Sequence, residues 1–467
     1  MELLKKNAVE IVSLLKSGEI TPLDCLNTLQ KRISLIDDKV NALPILCFER
    51  AYENARKLQK LPLDKRGVLS GLPIPIKDIT DVSGVRCTSG SNIFKNFVPK
   101  KSDEIVKRIE NNGGIVFAKS NTAELATGGN TFNELFGATL NPWDTKLSSA
   151  GSSGGAAVSV ATGMSWVAHG TDNAGSIRSP SSFCGTVGLR PSIGRVSSSL
   201  YNKVDSNFTV NGPIARNVAD VGLLLDAMIG ESYNNPLSLK KELHTFLSQS
   251  LSPKKPRKIA YSLDLGITPV SSDVKTVLFD FIRKLEYEGI IVEENHPNLQ
   301  NASTCYQTLR ALDFYISMKD LYEDHKKHLK PEVIWNLEKG MNLKAEEIAI
   351  AEGYRLEIVN NMQKFFQEYD LLICPSTIST PYPVGERYLK ECNGQKFDTY
   401  IDWLMIASAI TLSCSPAISI PGGFTKDTLP VGIQIISSIR NEADLLSKSA
   451  FIEKVINLKN YFPVSPN

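Results

Sequence analysis

The sequence has 467 residues, of which 42% are hydrophobic and 22% charged, a composition typical of a globular protein with a large core. Its net charge is only +2 and its basic residues are spread along the chain, which gives no indication of a nucleic-acid partner. No apolar stretch is long enough to cross a bilayer, so we expect no membrane partner either.

Eight cysteines lie scattered along the chain without a CxxC pair. This spacing favours reduced thiols over a disulfide framework or a zinc site. The first residues, MELLKKNAVEIVSLL, lack the continuous apolar segment and the small-residue cleavage site of a secretory signal. We therefore expect a cytoplasmic protein.

The predicted elements alternate between helices and strands, which indicates an α/β fold. Residues 1–60 look helical, with Thr21 as an N-cap before Pro22. A strand is predicted at 71–79, where two prolines favour a sheet edge or a strand end. Further on, the patterns predict helices at 102–112, 217–228, 271–289 and over most of 301–369, and strands at 115–118, 259–262, 290–292, 371–375, 416–423 and 429–434.

Residues 148–195 differ from the rest of the chain because small residues dominate them and two glycine-flanked serine clusters lie among them. Glycine is favoured wherever the backbone must pass close to a ligand or adopt a positive φ. An apolar run at 156–168 separates the two clusters and is expected to be buried. The segment therefore predicts the lining of a site.

A serine nucleophile in such a site needs a base. Of the five histidines, only His169 lies near the serine segment, and its apolar neighbours favour a role in the core or behind the site. A lysine can replace histidine if burial keeps it neutral. Lys77 lies among Ile74, Ile76 and Ile79, which is an apolar setting of this kind.

The segment resembles the signature of the amidase signature family of serine hydrolases. The matching residues are Gly151-Ser152-Ser153-Gly154-Gly155, Gly170-Thr171-Asp172, Gly175-Ser176-Ile177-Arg178, Phe183-Cys184-Gly185, Gly188-Leu189-Arg190-Pro191 and Gly194-Arg195-Val196-Ser197, with Gly71 to Asp78 similar to the family's lysine motif. The C-terminal half looks more like free-standing bacterial amidases than like other branches of the family. The resemblance implies one domain of α/β/α layers, with a central mixed, twisted β-sheet surrounded by helices. Within residues 1–467 we expect N-terminal helices at 1–65, a catalytic core at 66–228, a variable and mostly helical substrate-side region at about 230–365, and core strands with a helix at 366–467.

The resemblance also implies an activity and its residues. The protein would hydrolyse a carboxylic amide to a carboxylate and ammonia or an amine, without a metal or an organic cofactor. Its catalytic residues would be Lys77 as the base, Ser152 as a bridging serine after a cis peptide bond, and Ser176 as the nucleophile that forms an acyl-enzyme. Backbone N–H groups around Asn173, Ala174 and Gly175 would bind the oxyanion, and Ser153, Asp172 and Arg178 would support the turn.

Three departures from the family pattern affect the expected site. Ala150 stands where a glycine is common, and Ala174 replaces the first of two glycines before the nucleophile. Asn173 adds a polar side chain that we expect to face the leaving group. The sequence indicates least about the acyl pocket, which would hold the acyl part of the substrate. We expect its candidates to be Phe132, Trp335 and residues 400–410.

Three alternatives remain open at this point. Gly151 to Gly155 formally fits the nucleophile elbow of an α/β-hydrolase, although no strand is predicted directly before it. The second is the A subunit of the glutamine-dependent amidotransferase that makes Gln-tRNA, and the third is an inactive binding protein on an amidase scaffold. The family resemblance favours a small-molecule amide substrate and a homodimer.

Overall fold

The computed structural model describes residues 2–197, 208–458 and 461–466. Its strands are β1 Ile45–Leu46, β2 Pro73–Lys77, β3 Ile115–Ser120, β4 Phe132–Asn133, β5 Gly137–Ala138, β6 Val167–Asp172, β7 Val187–Arg190, β8 Val210–Ala215, β9 Lys258–Tyr261, β10 Ile291–Glu294, β11 Leu371–Pro375, β12 Glu391–Cys392, β13 Gln395–Lys396, β14 Ala417–Phe424 and β15 Pro430–Ile436. Its helices are α1 Glu2–Lys5, α2 Ala8–Ser17, α3 Pro22–Val40, α4 Phe48–Gln59, α5 Glu104–Asn111, α6 Gly154–Ala161, α7 Arg178–Cys184, α8 Val218–Met228, α9 Phe246–Ser250, α10 Ser272–Tyr287, α11 Ala302–His325, α12 Pro331–Met341, α13 Ala345–Phe365, α14 Met405–Leu412 and α15 Glu442–Ile456.

A mixed sheet of eight strands forms the centre, in the order β10-β9-β11-β15-β14-β7-β8-β6. Strands β9, β10 and β11 run parallel to one another, while β15, β14, β7, β8 and β6 pair in antiparallel fashion. Helices surround this sheet, and one continuous hydrophobic core reaches from Leu4 to Ile456. The predicted mixed sheet surrounded by helices is therefore confirmed.

The predicted strand at 71–79 lies in a second sheet of three strands, in the order β1-β3-β2. Strand β2 is an edge strand that pairs with β3 alone, in parallel. Pro73 and Pro75 explain this position, because proline has no N–H to offer a second neighbouring strand. Strand β2 also packs against β6 of the central sheet, and this contact brings Lys77 to the serine segment.

Two of the predicted helices begin at polar N-cap residues, one of which, Thr21, was predicted as a cap. Thr21 caps α3 in a capping box with Asp24, and Asn217 caps α8 through the N–H of Asp220. The helical region predicted over 301–369 is divided into α11, α12 and α13. No helix among the described residues is long and apolar enough to span a bilayer.

The apolar run between the two serine clusters is divided between two elements. Its first half forms α6, which begins directly after the first cluster, and its last residues begin β6, which leads to the second cluster. Every residue of α6 and β6 is buried. The run therefore folds back on itself and brings both serine clusters to the end of β2.

Candidate active site

Lys77 lies at the end of β2, completely buried. Its Nζ atom lies 2.7 Å from Ser152 Oγ, 2.8 Å from Ser153 Oγ and 2.9 Å from Thr171 Oγ1. Burial lowers the pKa of Lys77 to about 7, although the nearby Asp172 carboxylate opposes this shift. The lysine can therefore exchange a proton with a hydroxyl group near neutral pH.

The carboxylate next to Lys77 in sequence does not pair with it. Asp78 instead lies 3.2 Å from the Nζ atom of Lys119, and it accepts hydrogen bonds from Thr88. Lys77 thus has no carboxylate within ion-pair distance among the residues that the structure describes. This arrangement favours the neutral amine, because an adjacent carboxylate would stabilise the ammonium form.

The first serine cluster lies in a tight backbone segment before α6. The peptide bond between Gly151 and Ser152 is cis, as the family resemblance implies. Ala150, which replaces a common glycine, has φ of 56° and so occupies the left-handed region that favours glycine. Ser153 also donates to the backbone O of Thr171, at 3.2 Å, so that its hydroxyl both contacts Lys77 and fixes the end of β6.

Ser176 lies in the second cluster, in the turn between β6 and α7, and is 8% exposed. Its backbone O accepts a hydrogen bond from Ser153 N at 3.2 Å, which joins the two clusters directly. Its hydroxyl makes no hydrogen bond to any residue that the structure describes. The structure therefore brings Ser176 beside the Lys77–Ser152 pair without a hydrogen bond between the two serine hydroxyls.

Asp172 organises the turn that carries Ser176. Its Oδ1 atom accepts a hydrogen bond from Gly175 N at 3.0 Å, and its Oδ2 atom accepts one from Ile177 N at 3.1 Å. Arg178 Nη2 and Arg190 Nη1 lie 2.9 Å and 3.2 Å from Oδ1. Burial opposes ionisation of Asp172, but the two guanidinium groups and these N–H groups together hold its pKa well below the usual range. Asp172 and Arg178, both expected to support the turn, thus do so as an ion pair.

The Gly175 hydrogen bond corrects the expected set of oxyanion donors. Since the Gly175 N–H already donates to Asp172, it is not free to bind a ligand. The N–H groups of Asn173, Ala174 and Ser176 have no acceptor among the described residues. Gly175 contributes a φ of 98° instead, while Ala174 is outside the positive-φ region and tolerates its methyl group.

Comparison with known proteins identifies the family. The family model described as Amidase matches residues 24–446. The chain belongs to the amidase family. An acylamidase from Rhodococcus erythropolis is 30% identical over 96% of this chain and 95% of that protein. The A subunit of the glutamyl-tRNA(Gln) amidotransferase from Halothermothrix orenii is 30% identical over 99% of this chain and 100% of that protein. The solved structure of a bacterial aryl acylamidase of the amidase signature family has a TM-score of 0.89 and 27% identity over 96% of both chains.

This amidase is a hydrolase that acts on the C–N bond of amides. Its membership of the family rules out the α/β-hydrolase alternative. Among the described residues, no three His, Cys, Asp or Glu side chains lie together in a way that could hold a metal ion.

In the amidase, Asn173 makes hydrogen bonds that the sequence did not predict. Its Oδ1 atom accepts hydrogen bonds from Tyr306 OH at 2.5 Å and Arg310 Nη1 at 3.1 Å, both on α11. Its Nδ2 group donates to Thr209 Oγ1, and its backbone O accepts from Thr411 Oγ1 at 2.6 Å. The Asn173 side chain therefore ties the turn that carries Ser176 to α11, and its orientation towards the leaving group stays a prediction.

Sequence reasoning did not identify the residues of α11 or Arg190 as part of the site. Arg190 lies inside one of the matched family motifs, so its motif membership was a usable signal. Tyr306 and Arg310 gave no signal, because they lie more than 130 positions from Asn173 in sequence. Thr171, which lies in a matched family motif but was given no role there, is the third hydroxyl partner of Lys77.

His169 lies behind the amidase site, as expected. It is completely buried, its Nδ1 accepts from the backbone N of Lys77 at 3.4 Å, and its Nε2 lies 2.8 Å from Asn211 Oδ1. Burial lowers its pKa to about 4. A base with this pKa would be almost fully deprotonated at neutral pH, and both of its ring nitrogens are already engaged.

The aromatic candidates for the acyl pocket lie close to charged side chains. Trp335 and Tyr400 pack edge to face with ring centres 5.9 Å apart. Phe132 lies under two cations, Lys330 at 5.2 Å and Arg387 at 5.0 Å from its ring centre. Their assignment to the acyl pocket stays a prediction.

Proposed function

We propose that this amidase acts through an acyl-enzyme on Ser176, with Ser152 as a proton relay and Lys77 as the base. The proposal rests on Lys77, which is buried and has no carboxylate within ion-pair distance among the described residues. Its Nζ atom lies 2.7 Å from Ser152 Oγ, and burial lowers its pKa to about 7. No other hydrogen bond of Ser152 Oγ occurs among the described residues. Its proton is therefore available to the lysine.

The reaction begins when neutral Lys77 accepts the proton of Ser152 while Ser152 accepts that of Ser176. The Oγ atom of Ser176 attacks the amide carbonyl carbon, and we expect the hydrogen bond between the two serines to form in the substrate complex. When the tetrahedral intermediate collapses, the C–N bond breaks and the relay returns the proton to the leaving nitrogen. Water then attacks the resulting ester, the carboxylate leaves, and Ser176 is restored.

The negative charge on the intermediate needs donors that are already in position. We assign this role to the backbone N–H groups of Ala174 and Ser176, with Asn173 as a third candidate. Asp172 supports them indirectly, because it fixes the turn through Gly175 and Ile177. Arg178 and Arg190 compensate the buried charge of Asp172 and thereby keep it in place.

Labelling with a fluorophosphonate, followed by intact-mass measurement, tests the proposal. The wild type should gain a single adduct, Ser176→Ala should gain none, and Ser152→Ala and Lys77→Ala should react at least about 100-fold more slowly. Ser159→Ala is the matched control, because Ser159 is a buried serine on α6 whose hydroxyl, among the described residues, bonds only to the backbone O of Ala156 and to Ser165 Oγ. An adduct that persists in Ser176→Ala, or no adduct in the wild type, would overturn the assignment.

The A subunit of a glutamyl-tRNA(Gln) amidotransferase is the second candidate function. It is supported by the end-to-end match to the Halothermothrix orenii protein. We favour a free-standing enzyme because the acylamidase from Rhodococcus erythropolis and the aryl acylamidase structure also match almost the whole chain. Steady amide hydrolysis by the purified chain alone supports the free-standing enzyme. Activity that requires added partner subunits and glutamine supports the amidotransferase.

We further expect a cytoplasmic homodimer that binds neither nucleic acid nor membranes. The eight cysteines are all free, which agrees with a reducing compartment. Light scattering coupled to size-exclusion chromatography measures the oligomeric state directly. An inactive binding protein, the remaining alternative, would be supported by failure of labelling in a folded wild type.

A further inference from the structure

A buried guanidinium lies beside the nucleophile turn. Arg310 is 4% exposed on α11, and its Nη1 atom lies 3.1 Å from Asn173 Oδ1, three positions before Ser176. It also donates to Tyr306 OH at 3.2 Å and to Tyr400 OH at 3.0 Å. These three bonds use three of the five N–H groups of the side chain. Arg310 Nε is buried and has no hydrogen-bond partner in the described part of the chain.

No carboxylate lies within ion-pair distance of Arg310 among the described residues. Its partners are one amide oxygen and two phenols, and burial raises the pKa of Tyr306, so that this phenol is neutral at physiological pH. A buried guanidinium without a counter-charge is unfavourable. The rings of Phe314 and Tyr400, centred 4.5 Å and 5.9 Å from the guanidinium carbon, provide only partial compensation.

The surrounding charges do not supply the missing anion. Lys330 is near enough to be affected by Arg310: burial lowers the pKa of Lys330 to about 8, and the charge of Arg310 contributes to this shift. Two glutamates lie near Lys330, but Glu332 is already paired with Arg387. Glu124 bonds to Ser91 and to the backbone N of Lys330. A third glutamate, Glu134, is near enough to raise the pKa of Arg387, so that three glutamates balance Lys330, Arg387 and Arg310 in number. None of the three pairs with Arg310 among the described residues.

A second buried polar atom near Arg310 also lacks a partner among the described residues. Tyr400 OH, which receives a hydrogen bond from Arg310, receives another from Asn336 Nδ2 at 2.6 Å. The Oδ1 atom of the same Asn336 has no hydrogen bond to any described residue. Buried polar atoms in native proteins are almost always hydrogen-bonded to protein, water or a ligand. Two unpartnered atoms beside a buried cation, Arg310 Nε and Asn336 Oδ1, point to a bound polar group.

We propose that Arg310 binds a carboxylate on the acyl part of the substrate, so that the preferred substrates are the half-amides of dicarboxylic acids or similar acidic amides. The inference rests on the proposed function of Ser176 and adds the class of substrate. The free Nε–H of Arg310 would donate to the carboxylate, and Lys330 would add a second positive charge. Asn173 joins Arg310 to the turn that binds the reacting carbonyl. A substrate bound through both its carboxylate and its reacting carbonyl would therefore have a fixed orientation.

Ammonia release from pairs of substrates of equal chain length tests the proposal in the wild type. Succinamate is compared with butanamide and with methyl succinamate, and glutaramate with pentanamide. We expect kcat/KM to be about 10- to 100-fold higher for the acidic member of each pair, the range expected for a hydrogen bond to a charged group. Equal kcat/KM values for the two members of a pair, or higher values for the neutral amides, would overturn the proposal. Arg310 would then only hold the turn that carries Ser176 in place.

Variants of Arg310 assign the preference to this residue. Arg310→Gln should reduce the ratio of acidic to neutral kcat/KM to about 1, while Arg310→Lys should keep part of it. Arg283→Met removes a guanidinium that is 76% exposed on α10 and should leave the ratio unchanged. A ratio that survives in Arg310→Gln would overturn the assignment to Arg310.

Fluorophosphonate labelling separates this proposal from the mechanism. Labelling of Ser176 that persists in Arg310→Gln, even at a reduced rate, together with lost selectivity, supports both. Absence of labelling in the wild type would contradict the mechanism itself. If Arg310→Gln does not fold, protection of the wild type from labelling by succinate, but not by butanoate, provides the same test. Equal protection by the two acids would then overturn the proposal.

Discussion

Replacement of Ser153 by alanine should make the enzyme active at lower pH. The ammonium form of Lys77 would donate to three hydroxyl groups, and Ser153→Ala removes the one at 2.8 Å. A hydrogen bond from a charged group contributes about 1.5 kcal/mol or more, and one pKa unit corresponds to about 1.4 kcal/mol. Loss of this bond destabilises only the protonated lysine, so that its pKa should fall from about 7 to about 6.

The effect is measured as the rate of fluorophosphonate labelling between pH 5 and 9, divided by the plateau rate of each protein. The reactive form is the neutral lysine, so the rate should rise with pH, with a midpoint near 7 in the wild type. At pH 6 the neutral fraction is roughly one tenth in the wild type and roughly one half in Ser153→Ala, so that the normalised rate should rise about fivefold.

His169→Gln is the matched control for this profile. An ordinary histidine would also give a midpoint near neutrality, but burial lowers the pKa of His169 to about 4. The midpoint near 7 should therefore survive in His169→Gln. A midpoint that stays constant or rises in Ser153→Ala, or that disappears in His169→Gln, would refute the assignment of Lys77 as the base.

The remaining predictions concern stability and are measured by urea unfolding. Asp172→Asn leaves two buried guanidinium groups without a counter-charge and should lower the free energy of unfolding by about 3 kcal/mol. Because the folded-state pKa of Asp172 lies below its unfolded value, its stabilisation is present above about pH 4 and is lost as pH falls towards the folded pKa. The difference between the two proteins should therefore be constant between pH 5 and 8, and a loss below about 1 kcal/mol would contradict the reasoning. Gly155→Ala should destabilise by about 1–3 kcal/mol, because its methyl carbon would lie 2.4 Å from Asn121 N and 2.5 Å from Ala42 O. Gly353→Ala, on the exposed side of α13 with no atom within 4 Å, should instead stabilise by about 0.5–1 kcal/mol, and equal effects of the two variants would show that packing does not explain them.

The sequence by itself determined those features that depend on short-range interactions. The cap of α3 at Thr21 and the edge position of β2 follow from hydrogen bonds and steric limits within a few residues. The family motifs likewise predicted that Lys77, Ser152 and Ser176 lie together, and the structure bonds Lys77 to Ser152 and the neighbouring Ser153 to the backbone of Ser176.

Only the tertiary structure decided how these residues behave. The pKa of Lys77 depends on its complete burial, and its hydroxyl partners come from a turn before α6 and from β6, both more than 70 positions away. The engagement of the Gly175 N–H and the contact of Asn173 with Arg310 likewise depend on how a turn and a distant helix pack together. Burial and long-range contacts arise from the packing of the whole chain, and local sequence patterns carry little information about them.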